Sequence, residues 1–281
     1  MKELTERYQG SFFNAYTITR MKLYKHELPI ENDKEKISRL YGYDKQKTDL
    51  VFEMLDKEMA QSLQVLKSQC QKNLDLCGKK IKGNIFFIGD QLTCDYLGYF
   101  QILQHAFSDY SDIHLHSCAV HGITTNQIIP FVHDNILSHS PVVVCILIGT
   151  NDCLRISNDR YHKNVCSPEE FKKNLEYLIL LFNHYGSKII LNTLPPVNES
   201  LVKKHYSPDK LIADKNDWKL YNQIIANAAK THGCMLNRPD CTFSLNDITE
   251  NGDGILLTSE AQCVLAGQIL NLMGSTGEIH A

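Results

Sequence analysis

The run Pro141-Val142-Val143-Val144-Cys145-Ile146-Leu147-Ile148-Gly149 constrains this chain more than any other stretch. It carries no charge, shows no alternation of polar and apolar residues, and is rich in β-branched side chains. Such a segment has to be covered on both faces, which makes it a strand inside a parallel sheet. Four weaker runs accompany it: Asn84-Ile85-Phe86-Phe87-Ile88-Gly89, residues 113–120, Lys188-Ile189-Ile190-Leu191-Asn192-Thr193 and Cys234-Met235-Leu236. Helical periodicity fills the intervals near 92–107, 124–138, 168–185, 210–230 and 259–272. Strands alternating with helices predict an α/β fold. The expected form is a three-layer α/β/α sandwich on a flavodoxin-like parallel sheet of about five strands.

Upstream the pattern changes. Residues 1–33 are mixed, but from Asp49 a stripe of Phe52, Leu55, Met59, Leu63, Leu66, Cys70 and Leu74 recurs at helical spacing. The expectation is a mainly helical N-terminal extension over residues 1–80, ahead of an α/β domain over residues 81–281. The long helix is either a structural appendage or, through residues 49–78, a lid or a protein-docking element.

Composition narrows the function classes. With 29 basic against 32 acidic side chains, the chain lacks the positive excess of a nucleic-acid binder. The start Met1-Lys2-Glu3-Leu4-Thr5-Glu6-Arg7 has no apolar secretory core, and no run is long enough to span a bilayer. A cytoplasmic location without membrane association is therefore expected. The 10 cysteines contain no CxxC pair, which argues for reduced thiols over a zinc knot. Neither GxGxxG nor GxxxxGK[ST] occurs, so no nucleotide cofactor is expected. No cofactor or metal is predicted.

In open α/β sheets, functional residues gather beyond the carboxyl ends of the strands. After the first run stands Gly89-Asp90-Gln91-Leu92-Thr93, and after the second Ser117-Cys118-Ala119-Val120-His121-Gly122-Ile123-Thr124-Thr125. After the third come Gly149-Thr150-Asn151-Asp152, after the fourth Thr193-Leu194-Pro195-Pro196, and near the C-terminus Asp253-Gly254-Ile255-Leu256-Leu257-Thr258. In this order the blocks resemble the SGNH (GDSL-type) hydrolases over residues 83–273. The resemblance implies a serine nucleophile after the Gly-Asp pair, and a histidine base three residues after the last aspartate. It also implies an oxyanion hole made of the serine amide, a glycine amide of the second block and the asparagine of the third. At those positions this chain has Gln91 for the serine and Leu256 for the histidine. Aligning the second block on Gly122 puts Ala119 at the oxyanion glycine, while Asn151 and Asp253 are retained.

Glutamine has no hydroxyl to activate and leucine carries no proton, so acyl transfer by this pair is not expected. The candidate ligand-binding residues are Asp90, Gln91, Ala119, Gly122, Asn151 and Leu256; the candidate catalytic residues are Asp253 and His121. His121 is a possible substitute base because imidazole titrates near neutrality. Asp90, Asp152 and Asp253 either form a carboxylate cluster or cap helices. His114, His116 and Cys118 share one face of a strand, as metal ligands or as sheet residues. Cys94 and Cys153 are either nucleophiles or buried thiols. Three readings stay open: a pseudoenzyme binding a small acyl or carboxylate-type ligand; a repurposed transferase, lyase or cyclase using Asp253, Asn151 and His121; and an interaction protein docking through its N-terminal helix.

Overall fold

The computed structural model describes residues 44–157, 161–206, 211–249, 252–275 and 279–280. Residues 1–43 of the expected extension lie outside these. Helix α1 runs Lys45–Lys80, and Asp44 caps it by accepting the Lys47 N–H at 2.7 Å. Lys79 and Lys80 stand in its last turn, where the helix dipole favours cations.

The strands are β1 (Ile81–Gly89), β2 (Ile113–Ala119), β3 (Pro141–Leu147), β4 (Arg155–Ser157), β5 (His162–Asn164), β6 (Lys188–Asn192), β7 (Leu211–Ile212), β8 (Met235–Asn237) and β9 (Ile279–His280). The main sheet has the order β2-β1-β3-β6-β8 with every pair parallel. β9 pairs with the start of β1, at Ile81 and Lys82. All of β3 is buried, as its unbroken apolar run requires. The remaining helices are α2 (Gln91–Cys94), α3 (Tyr99–Ala106), α4 (Thr125–Asn135), α5 (Thr150–Cys153), α6 (Pro168–His184), α7 (Glu199–His205), α8 (Lys215–His232), α9 (Pro239–Thr242) and α10 (Ser259–Ser275).

Helices α1, α3 and α10 pack together in one layer, and α4, α6 and α8 in the other. The apolar stripe of α1 is consumed by this packing. Leu55, Leu66 and Leu74 are at most 1% exposed, each contributing about 1.5–3 kcal/mol by burial. The Cys263 thiol of α10 reaches the Ser62 carbonyl of α1 at 3.3 Å. Among the described residues no helix is long and apolar enough to cross a membrane.

Three features differ from the sequence expectation. The helix predicted over residues 92–107 is two, because Asp95 turns the chain by accepting the Leu97 N–H at 3.1 Å. A Cβ at Gly98 would lie 2.8 Å from the Asp95 carbonyl, so only glycine fits that turn. The segment predicted over residues 210–230 begins its helix at Lys215, capped by Asp214. A small antiparallel sheet, β5-β4-β7, was not anticipated, since strands of two or three residues show no readable period. Arg155 fastens it to α8, donating to Asp217 at 2.5 and 2.7 Å.

Candidate functional site

The loops after β1, β2 and β3 meet where the strand order reverses at β1, the usual place for a crevice in such a sheet. β1 ends in Gly89, whose added Cβ would lie 2.6 Å from the Leu147 carbonyl of β3. Glycine therefore lets the chain turn hard against β3. Asp90 follows, fully buried. Its carboxylate accepts the Leu92 N–H at 3.2 Å, the Thr150 N–H at 3.3 Å and the Thr150 hydroxyl. Burial pushes this carboxyl up to about 7, against the pull of its three donors. Asp152 does the same job between β2 and β3, accepting the Thr125 N–H at 3.0 and 3.1 Å and the Thr125 hydroxyl at 2.5 Å. Burial raises its pKa as well. Both aspartates thus tie loops together, and Asp253 sits on a separate loop before α10.

Gln91, the first residue of α2, is fully buried and lies between the two other loops. Its carbonyl Oε1 accepts from Asn151 Nδ2 at 2.9 Å and from the Gly122 N–H at 3.4 Å. Its Nε2 donates to Thr150 Oγ1 at 3.1 Å and to Asn151 Oδ1 at 3.4 Å. Asn151 also donates to the Ile123 carbonyl at 3.0 Å. Gly122 adopts φ of +77°, in the left-handed region that glycine tolerates, and open space lies beyond it. The second-block amide that meets Gln91 is therefore that of Gly122. Ala119 is the last residue of β2, opposite Gly89 in the ladder and fully buried.

The C-terminal loop is built on Asp253. Its Oδ1 accepts the N–H of Ile255 at 2.8 Å and of Leu256 at 2.9 Å, and its Oδ2 accepts the Tyr206 hydroxyl at 3.2 Å. Gly254 has φ of +86° and packs on α7, where a Cβ would lie 2.6 Å from the Asn198 carbonyl. Leu256 is 1% exposed. Tyr206 was missed by sequence reasoning, because α7 carries no strong periodic signal and the hydroxyl stands 47 residues from its partner.

His121 is half-buried, and its Nε2 is buried with no hydrogen-bond partner among the described residues. Burial lowers its affinity for a proton, the Asp253 charge raises it, and His205 lowers it. The structure thus brings His121 under the influence of Asp253, and gathers Asp90, Gln91, Gly122 and Asn151 into one network.

Other candidates are not gathered there. Cys94 and Cys153 are buried, and burial drives the Cys153 thiol well above its usual range. His116 stacks on Phe86 at 4.7 Å and bonds Asn84 at 2.8 Å, His114 is exposed, and Cys118 is buried. Among the described residues no group of three or more His, Cys, Asp or Glu side chains could hold a metal ion.

Chemically, Asn151 Nδ2 and the Gly122 N–H form a two-donor recess of the kind that stabilises a negative oxygen. Here they receive a neutral amide oxygen. The hydroxyl touching that amide, Thr150, is fully buried and already donates to Asp90.

No family model matches the sequence, and no curated protein matches it. Solved structures do. A lipase/acylhydrolase from Enterococcus faecalis is 17% identical with a TM-score of 0.54, covering 68% of this chain and 95% of its own. The acetyl xylan esterase AlAXEase is 20% identical with a TM-score of 0.53, covering 67% of this chain and 98% of its own. LAE5, an alpha/beta hydrolase enzyme from the metagenome of Lake Arreo, Spain, is 20% identical with a TM-score of 0.52, covering 68% of this chain and 95% of its own. The parallel sheet, its two helical layers and these likenesses agree: the chain has the fold of the SGNH (GDSL-type) hydrolases.

Proposed function

We propose that this chain is a non-hydrolytic protein of that fold, whose cleft holds a small acyl or carboxylate-type group without cleaving it. The observation that carries the reading is the Gln91 carboxamide, seated on Asn151 and Gly122 where the resembled motif has a serine beside its oxyanion donors. A carboxamide supplies no nucleophile. Leu256, three residues after Asp253, accepts no proton, and Asp253 Oδ2 takes the Tyr206 hydroxyl instead of an imidazole. The test is turnover of short-chain aryl esters by the unmodified protein beside a Gln91→Ser/Leu256→His double variant. Turnover by the double variant alone supports the reading. Turnover by the unmodified protein that depends on this cleft refutes it.

One observation favours a second reading, a repurposed transferase, lyase or cyclase using Asp253, Asn151 and His121. The buried His121 Nε2 lacks a partner, and a buried polar atom left unpaired is costly. If Asp253→Asn and His121→Ala both leave a demonstrated activity untouched, this assignment falls.

A further inference from the structure

The hydrogen-bond pattern around Gln91 can be read as a mould. Two backbone groups settle the orientation of both side-chain amides. The Ile123 carbonyl only accepts, so it is Asn151 Nδ2 that points to it, and Asn151 Oδ1 faces Gln91. The Gly122 N–H only donates, so it is Gln91 Oε1 that meets it. The walls therefore present two donors on one side, Asn151 Nδ2 and the Gly122 N–H. On the other side they present two acceptors, Asn151 Oδ1 and Thr150 Oγ1. While the buried Asp90 carboxyl is ionised, Thr150 cannot turn its hydroxyl proton inward without releasing it.

A group that satisfies all four needs an oxygen acceptor and an N–H donor on one planar carbon. An ester brings no donor and leaves both acceptors unpaired. A carboxylate brings no donor and sets its charge against Asn151 Oδ1. Unmatched buried polar groups discriminate strongly between analogues.

We propose that the recess is specific for a carboxamide, so that the acyl ligand it takes is an amide whose CO–NH group replaces that of Gln91. This rests on the reading of the cleft as a binding site and narrows its ligand class. The native side chain is the standing occupant. An incoming amide binds only in molecules where Gln91 has swung out, and its apparent affinity falls by that fraction. Gly122 is exposed and borders open space, which gives the ligand its side of approach.

The experiment uses acetamide, acetate and methyl acetate as probes on the full chain and on Gln91→Gly, followed by calorimetry. Acetamide should bind Gln91→Gly at least about tenfold more tightly than either analogue, and bind the unmodified chain more weakly. Acetate binding as tightly as acetamide overturns the proposal, as does a folded Gln91→Gly that binds none of the three. Should Gln91→Gly not fold, the side-chain NH2 resonances of Gln91 in the unmodified protein provide the readout. They should move on titration with acetamide and stay fixed with acetate; no movement with acetamide, or equal movement with both, rejects the carboxamide mould. Ester turnover would refute the non-hydrolytic reading, whereas loss of acetamide selectivity refutes only this narrowing of it.

Discussion

Thr150→Val removes one hydroxyl from the network while nearly conserving volume. Two hydrogen bonds disappear: the one Thr150 donates to Asp90 and the one it accepts from Gln91 Nε2 at 3.1 Å. Gln91 Nε2 keeps only its longer contact to Asn151 at 3.4 Å. The cost depends on the protonation of Asp90, which burial holds up to about 7. Well below that pH the carboxyl is neutral in the folded state, and the two lost bonds are worth about 1 kcal/mol each, about 2 in total. Well above it, the bond to Asp90 is charge-assisted and worth about 1.5–3 kcal/mol, so the total rises to about 2.5–4. The sign follows from linkage. A carboxyl whose folded pKa exceeds its unfolded value makes the native state bind more protons between the two, so stability falls as pH rises through that window. Removing the Thr150 donor raises the folded pKa further, by about 0.4–1.5 units for the added 0.5–2 kcal/mol, and extends the decline above pH 7. Urea unfolding of parent and variant at pH 5.5 and pH 8.5 measures both penalties. A penalty equal at the two pH values, or smaller at the higher one, would show that Asp90 does not titrate as its surroundings imply.

Four further outcomes follow from the geometry. Gly149→Ala forces a side chain into φ of +127° with its Cβ 2.9 Å from the Phe171 ring, and should cost roughly 2 kcal/mol or more by chemical denaturation; a loss under about 0.5 would contradict that strain. Leu55→Ala empties a fully buried site of α1 and should cost about 2–5 kcal/mol, and a chain starting at residue 81 should expose the α10 face and aggregate; a soluble, cooperatively folding truncation would mean that α1 is dispensable. Asp253→Asn removes the charge that favours protonated His121, so the imidazole should titrate at lower pH by NMR; an unchanged titration would disprove their coupling.

Much of the fold was legible because burial on two faces leaves a plain mark. β3 reads as a strand without a neighbour in view, and the stripe from Phe52 to Leu74 reads as one helix face. The blocks after β1, β2 and β3 were legible as places, since the chain must leave each strand end there. Their contents were less so. Gln91 reads in the sequence as a missing nucleophile and a candidate ligand-binding residue. That its amide fits between Asn151 and Gly122 depends on residues 60 and 31 positions away, which no local pattern connects. Within the second block, the resemblance to the SGNH motif marks both Ala119 and Gly122. The positive φ of Gly122 is what turns its N–H toward Gln91. The β5-β4-β7 sheet and Tyr206 were invisible for a related reason, being too short or too distant for periodicity to report.

The clamp of Asp90, Gln91 and Asp152 across three loops also bears on how the molecule breathes. A cleft that performs chemistry keeps its polar groups waiting, and loops around such clefts belong to the least protected parts of a protein. In this chain the same loops are stitched to one another through buried side chains. The amide hydrogens of Thr125 and Thr150 should accordingly exchange with solvent as slowly as those of the central strands. Loops that ordinarily rank among the softest parts of a fold form, here, part of its frame.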